Sequence, residues 1–302
     1  MATKARNWLI AIVILAFPFT LFVIFLLFLE PGPAPALAPL PGMNGYEDFV
    51  AAGKRAVADD KPDYRTMNEQ QLQSFIDNNS NGLQLAHAGL SKDCGVTVQF
   101  SESYISDHLD DLAGFKVMAH ALAAEGRLAE IKNQPADAAR RYLDVIRFGQ
   151  QSRRGGVLID GMVGIAIEAV GTDHLESLVP QLDANTCRET ATALEAMDAK
   201  AQTFGDIVQQ EKAWSHATFK GWRSELARLE TRKSMEAAFA SAKKKFDAQK
   251  QKEQQLIIDL ADRAYKLDKG HPPAAISDLV PDYLKAIPTD PVTGTNVVLK
   301  AP

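Results

Sequence analysis

The sequence predicts a mainly α-helical protein: an N-terminal transmembrane helix, a helical hairpin- or bundle-like domain and a small C-terminal α+β module. Three observations support this prediction. An uncharged apolar run opens the chain, apolar residues recur at helical spacing from residue 106 onward, and turn-forming prolines and glycines recur after Gly270. The predicted segments are a cytoplasmic tip and anchor (1–30), a Pro/Ala-rich tether (31–45), a helical domain (46–255) and a C-terminal module (256–302).

The apolar run extends from Trp8 to Leu29. At about 1.5 Å per residue it spans roughly 33 Å, close to the ~30 Å hydrocarbon core of a bilayer. Pro18, near the middle, predicts a kink. The alternative is a cleaved signal peptide, because Ala36-Leu37-Ala38 has the small-x-small form. The run is longer than the ~7–15 residues of a signal-peptide core, which favours a retained anchor.

The charges around this run predict its orientation. Lys4 and Arg6 precede it and Glu30 follows it, so the positive-inside rule places the N-terminus in the cytoplasm. We therefore expect a single-pass protein of the inner (cytoplasmic) membrane with an extracytoplasmic main domain. Residues 8–29 would make the membrane itself a binding partner.

The central part of the chain contains several predicted helices. Apolar residues recur helically over Leu112–Leu122 and Ala138–Ile146, with a break at Asn133–Pro135, which predicts an antiparallel helical hairpin. Val157–Val170 is apolar nearly all round and is typical of a central buried helix. A long amphipathic helix is predicted within Gln202–Lys269, with an interruption near Gly221.

Overall composition and motifs exclude several functions. The net charge is −5 and no basic stripe is interleaved with aromatic residues, so no nucleic acid is expected as a partner. There is no Walker loop, dinucleotide-binding glycine motif, zincin motif or nucleophile elbow. We therefore expect no cofactor and assign no catalytic residue.

Glu168 is a candidate buried carboxylate, because it lies in the most apolar predicted helix. Its pKa would be raised unless a basic residue pairs with it. It would act as a general acid or base, or form a structural ion pair with Arg153 or Arg154, or lie at a helix edge that reaches water.

His108, with Asp107 and Asp111, forms the most metal-like local cluster, since positions three apart share a helix face. A solvated helix start explains this cluster equally well, and no metal site is assigned. Cys94 and Cys187 lack metal-type spacing. They form either one disulfide, in an oxidising compartment, or two buried free thiols.

The C-terminal module contains a motif of turn-forming and aromatic residues. Gly270 is expected to end a helix and Gly294 to supply a positive φ. Asp290, whose backbone is held extended by Pro291, is expected to accept a hydrogen bond from a backbone N–H two residues on. A short final strand is predicted at Val297–Leu299. The full motif is Gly270, Pro281, Tyr283, Pro288, Asp290, Pro291 and Gly294.

This motif carries a resemblance. The segments 264–272, 279–284 and 287–291 resemble the C-terminal pattern of type II secretion major pseudopilins. They also resemble the C-terminus of a family of uncharacterised, membrane-anchored helical bacterial proteins, and this second match extends over roughly residues 85–302. Because Trp8–Leu29 contains no acidic residue and no prepilin processing site precedes it, the resemblance does not imply pilus assembly. Calcium binding is not expected either, because the sequence given ends at Pro302, before the calcium-binding loop that follows this motif in major pseudopilins.

These observations predict a non-enzymatic, membrane-anchored extracytoplasmic scaffold or protein-interaction protein whose partners are other envelope proteins. Two alternatives remain open. One is an envelope enzyme, hydrolase-like and carboxylate-based. The other is a component associated with a secretion system, as the pseudopilin-like tail implies.

Overall fold

A computed structural model describes residues 39–57, 63–220 and 222–297, without the side chains of residues 222–230. This part of the chain is mainly α-helical, as predicted. Three short 3-10 turns accompany the helices, at Tyr64–Thr66, Val179–Gln181 and Ile276–Leu279. The helices are α1 Tyr46–Gly53, α2 Glu69–Asn78, α3 Ser80–Leu90, α4 Tyr104–Ile131, α5 Pro135–Ser152, α6 Leu158–Leu178, α7 Ala184–Asp198, α8 Phe204–Thr218 and α9 Trp222–Lys269.

The predicted transmembrane span at 8–29 lies outside the described residues, as does the tether up to residue 38. None of the helices within the described ranges combines the length and apolar character needed to cross a bilayer.

The predicted hairpin is formed by α4 and α5. The chain reverses at Asn133, which has a φ of 55°, and Pro135 starts α5 at the position where its missing N–H is not needed. The two helices approach closely at Gly126, where an added Cβ would lie 2.5 Å from the ring of Tyr142. Glycine is therefore required at this contact.

The predicted central helix is α6, which continues beyond Val170 to Leu178. It packs directly on α5, because both helices carry glycines at the contact. A Cβ added to Gly164 would lie 2.7 Å from the carbonyl oxygen of Gly149, and one on Gly171 would lie 2.7 Å from that of Tyr142. This close packing places residue 168 of α6 beside the end of α5.

One main hydrophobic core joins α1 to the C-terminal tail. Phe148 makes edge-to-face contacts with Phe49, at 4.8 Å between ring centroids, and with Phe115 at 5.8 Å. Leu279 and Leu284 of the tail are buried in the same cluster. The boundary predicted between residues 255 and 256 falls inside α9, and the tail packs into the same core as the helices before it.

The predicted α+β character of the tail is not seen among its described residues. Strand-like pairing is limited to one antiparallel bridge between Thr289 and Asn296. The prolines at 288 and 291 lack the N–H donors that a longer ladder needs. Of the predicted strand at Val297–Leu299, only the first residue is described.

The predicted long helix near the C-terminus consists of two helices, α8 and α9. Thr203 caps α8 by accepting from the backbone N–H of Asp206, and the Asp206 carboxylate accepts in return from the backbone N–H of Thr203. The predicted interruption lies between Thr218 and Trp222. This break lets α9 fold back over α6 and α7.

Candidate functional site

A cavity of about 430 Å³ lies between α6, α8, α9 and the tail. Its most deeply buried side chains are charged: Arg153, Glu168 and Glu253. Apolar side chains of Ile165, Phe204 and Phe246 form part of its wall. Charged groups at this depth require partners, since an isolated buried charge is strongly destabilising.

Glu168 is paired with Arg153, one of the two arginines considered from the sequence. The glutamate is only 2% exposed, and Arg153 Nε donates to its Oε1 at 2.6 Å. Arg153 Nη1 also donates to the Gln202 carbonyl at 3.0 Å, and its guanidinium lies 5.4 Å from the ring centroid of Phe246. The other arginine, Arg154, instead lies 3.8 Å from Asp93. Arg153 is therefore fixed in place by its contacts with Glu168, Gln202 and Phe246.

Glu253 of α9 is a buried residue of this cavity that the sequence did not identify as a candidate site residue. Its carboxyl group is hydrogen-bonded to that of Glu168, and Gln249 Nε2 donates to its Oε1 at 3.0 Å. Burial, followed by the negative charge of Glu168, raises the pKa of Glu253 to about 8. At neutral pH Glu253 is therefore mostly protonated, beside the ion pair of Arg153 and Glu168.

The remaining charges at the cavity are already paired. Lys250 forms an ion pair with Asp198, and Lys243 Nζ lies 2.6 Å from Asp247 Oδ2. Burial lowers the pKa of Lys250. Within the described ranges Glu253 forms no ion pair with a basic side chain.

The His108 cluster is a second buried polar group. His108 Nε2 lies 2.6 Å from Asp160 Oδ1, and Tyr104 stacks on the imidazole at 5.0 Å. Burial disfavours the imidazolium, but the hydrogen bond and charge of Asp160 outweigh it and raise the pKa of His108. Asp111 is 3.7 Å from the other ring nitrogen, whereas Asp107 is exposed and apart.

This cluster has a structural role. Asp160 Oδ2 accepts from the backbone N–H of Val157 at 2.9 Å and so caps the start of α6. No group of histidine, cysteine and carboxylate side chains in the described part of the chain is arranged to hold a metal ion.

The disulfide considered for Cys94 and Cys187 is not formed. Both residues are buried free thiols, and Cys94 Sγ instead lies 3.6 Å from Gln151 Oε1. Burial raises the pKa of Cys94 to about 12 and that of Cys187 to about 11. Both side chains thus remain protonated and act as small apolar groups.

The tail motif folds as a turn against α9. Asp290 Oδ1 accepts from the backbone N–H groups of Val292 and Thr293, at 2.7 and 2.8 Å, as expected for this turn. Gln251 Nε2 of α9 donates to Asp290 Oδ2 at 2.9 Å. Pro291 thereby reaches the rim of the cavity.

The other motif residues support the same segment. Gly294 has a φ of +69°, as predicted, and Gly270, with a φ of +75°, directly follows the last residue of α9. Tyr283 is buried and donates to Asp268 at 3.0 Å, and the Pro288 carbonyl accepts from the Val297 N–H. Pro281 is exposed and lies two residues after the end of the last 3-10 turn.

The first half of α9 extends away from the core. We name residues 231–245 the α9 arm; its side chains are exposed except for half-buried Phe239 and buried Ala242. Met235, Phe239, Ala242 and Phe246 follow one another at spacings of four, three and four residues. Phe246 is 8% exposed but Met235 is 41% exposed, so the apolar stripe continues beyond the core that covers it.

Comparison of the chain with protein-family models, curated proteins and solved structures gives no match. The two features of the described residues with functional potential are the cavity that contains Glu168 and Glu253 and the uncovered α9 arm.

Proposed function

We propose that this protein is a non-enzymatic, membrane-anchored interaction protein of the cell envelope, which binds an acidic helix of another envelope protein through the α9 arm. Anchoring through residues 8–29 and an extracytoplasmic domain are part of the proposal. They are supported by the uncharged run from Trp8 to Leu29 and the basic residues before it. The uncovered apolar stripe at Met235 and Phe239 is the observation that carries the proposal.

The spacing of the stripe favours a helix as the binding partner. Alternating steps of three and four residues form a narrow seam that fits a facing helix. Farther along α9, Leu256 and Leu260 are buried in the core at similar spacing. A partner helix would bury the stripe at Met235 in the same way. Methionine suits such a contact because its side chain is flexible.

The charge of the arm favours an acidic partner. Residues 231–245 contain five basic side chains and one acidic side chain, in a chain whose overall net charge is −5. A second copy of this chain would bring two basic arms together, which is unfavourable at an interface. A lipid surface binds helices with a broad apolar face, whereas this stripe is narrow.

Site-specific crosslinking in native membranes tests this proposal. A photoreactive residue in place of Met235 should give an adduct of defined mass with one other protein. The matched control is Ala237, which is exposed and lies on the opposite side of the same helix. Equal adducts at both positions, or adducts only with lipid or with a second copy of the chain, would contradict the proposal.

An envelope hydrolase is the second candidate function. It is favoured by the carboxyl groups of Glu168 and Glu253, which are buried together in one cavity. A protonated carboxyl group beside a carboxyl group that is ion-paired with an arginine, in one cavity, matches the needs of general acid–base catalysis. Turnover of a glycoside or ester substrate that Glu253→Gln abolishes would establish this function. In that case the cavity, rather than the arm, would be the main functional site.

A further inference from the structure

The cavity has one more acidic side chain than basic partners when its charged groups are assigned to ion pairs. Arg153 pairs with Glu168, Lys250 with Asp198 and Lys243 with Asp247. Glu253 is then the acidic group without a cation of its own among the described residues. Its raised pKa keeps its carboxyl group protonated, and so neutral, at neutral pH.

We propose that this cavity binds a primary ammonium group carried on an aliphatic chain, with the Glu253 carboxylate as its counterion. The ammonium would take the place of the Glu253 proton and donate hydrogen bonds to Glu253 and Glu168. The proposal does not require a partner on the α9 arm, because it rests on Glu253, Glu168 and the apolar walls of the cavity.

The walls of the cavity suit the rest of such a ligand. The rings of Phe204 and Phe246 lie 5.2 Å apart between centroids and are tilted by 57°, and Ile165 lines the same space. Aromatic faces attract cations, and apolar walls favour methylene groups. The volume of about 430 Å³ lies in the range of small-molecule sites.

The binding step conserves charge within the cavity. Before binding, the ion pair of Arg153 and Glu168 carries no net charge and Glu253 is protonated, so the three groups sum to zero. On binding, the ligand ammonium enters and the Glu253 proton leaves to solvent. The cluster then contains two carboxylates and two cations, which again sum to zero.

Proton release makes the affinity depend on pH. The charged groups facing Glu253 are Glu168 of α6, Arg153 at the end of α5, and Lys250 of α9 with its partner Asp198. Below about pH 8 the proton on Glu253 competes with the ligand. The affinity for an ammonium should then rise by up to about tenfold per pH unit and level off above pH 8.

Two sources supply this chemistry, a free alkylamine or the lysine side chain of a peptide. Calorimetric titration of the full chain with n-butylamine and with Nα-acetyl-lysinamide separates them. Either ligand binding with release of one proton supports the proposal, and the tighter ligand identifies the source. The neutral isostere n-butanol should bind at least about tenfold more weakly, because it cannot replace the proton.

Variants of Glu253 complete the test. Glu253→Gln should weaken ammonium binding at least about tenfold and abolish its pH dependence. Glu253→Asp should weaken binding but retain the pH dependence. Glu176→Gln on the outer side of α6 is the matched control and should bind normally. Equal binding of butanol and butylamine, no binding of either amine to the folded chain, or unchanged amine affinity in Glu253→Gln would overturn the proposal.

Discussion

Replacing Glu253 with glutamine should change how the stability of the protein depends on pH. The pKa of Glu253 is raised from 4.5 to about 8 by burial and by the charge of Glu168. The folded protein therefore holds a proton that the unfolded chain has lost over most of this range. The stabilisation that this proton provides is fully present below the pKa of Glu253 in the unfolded chain. It is lost as the pH rises towards the pKa of Glu253 in the folded protein.

The magnitude follows from the width of this range. Each pH unit changes the free energy of unfolding by about 1.4 kcal/mol per proton, which gives at most about 5 kcal/mol between pH 4.5 and 8. A glutamine cannot ionise, yet it can accept from Gln249 and donate to Glu168. Glu253→Gln should therefore match the wild type near pH 5 and exceed it by several kcal/mol above about pH 8.

Urea denaturation of the full chain, followed by circular dichroism across this pH range, measures the effect. The exposed glutamate Glu102 provides the control, and Glu102→Gln should give a curve parallel to that of the wild type. If the difference in unfolding free energy between Glu253→Gln and the wild type is the same at every pH, then the pKa of Glu253 is not raised in the folded state. That result would contradict the proposed protonation of Glu253.

Three further predictions concern packing, the tail and the thiols. Gly164→Ala should lower stability by about 1–3 kcal/mol in denaturant unfolding, because its Cβ would push α6 from α5; a normal midpoint would contradict the close contact. Asp290→Ala should lower Tm, because three hydrogen bonds are lost, but should leave crosslinking at the α9 arm intact. Asp282→Ala, at an exposed position of the tail, is the control. If Asp290→Ala instead melts normally and loses the crosslink, the tail is a recognition surface. Cys94 and Cys187 should react with a thiol reagent only after unfolding, as both are buried and uncharged; rapid reaction in the folded state would contradict this.

Local features of this fold were predictable from the sequence. The α4–α5 hairpin follows from a break at Asn133 and a proline suited to a first helical turn, both of which act within a few residues. The Asp290 turn and the positive φ at Gly294 are equally local. Each depends on neighbouring backbone geometry rather than on distant packing.

Features that depend on distant contacts were not predictable. Glu253 and Gln249 are polar residues in the apolar stripe of α9, and in the sequence this segment resembles a solvated face. They are buried because α9 folds back over α6, which brings Glu253 to Glu168 across 85 positions of the chain. The boundary predicted at residue 255 falls within α9, because the polar stretch before it is part of one continuous helix.

Hydrogen–deuterium exchange of α9 tests most directly whether the arm is a binding surface. In the purified full chain, amides of the exposed residues 231–241 should exchange quickly, and those of residues 246–264 slowly, because an uncovered helix opens locally. In native membranes, a bound partner helix should slow exchange in the arm while residues 246–264 stay unchanged. Equally fast exchange of the arm in membranes and in the purified protein would contradict the proposed interaction.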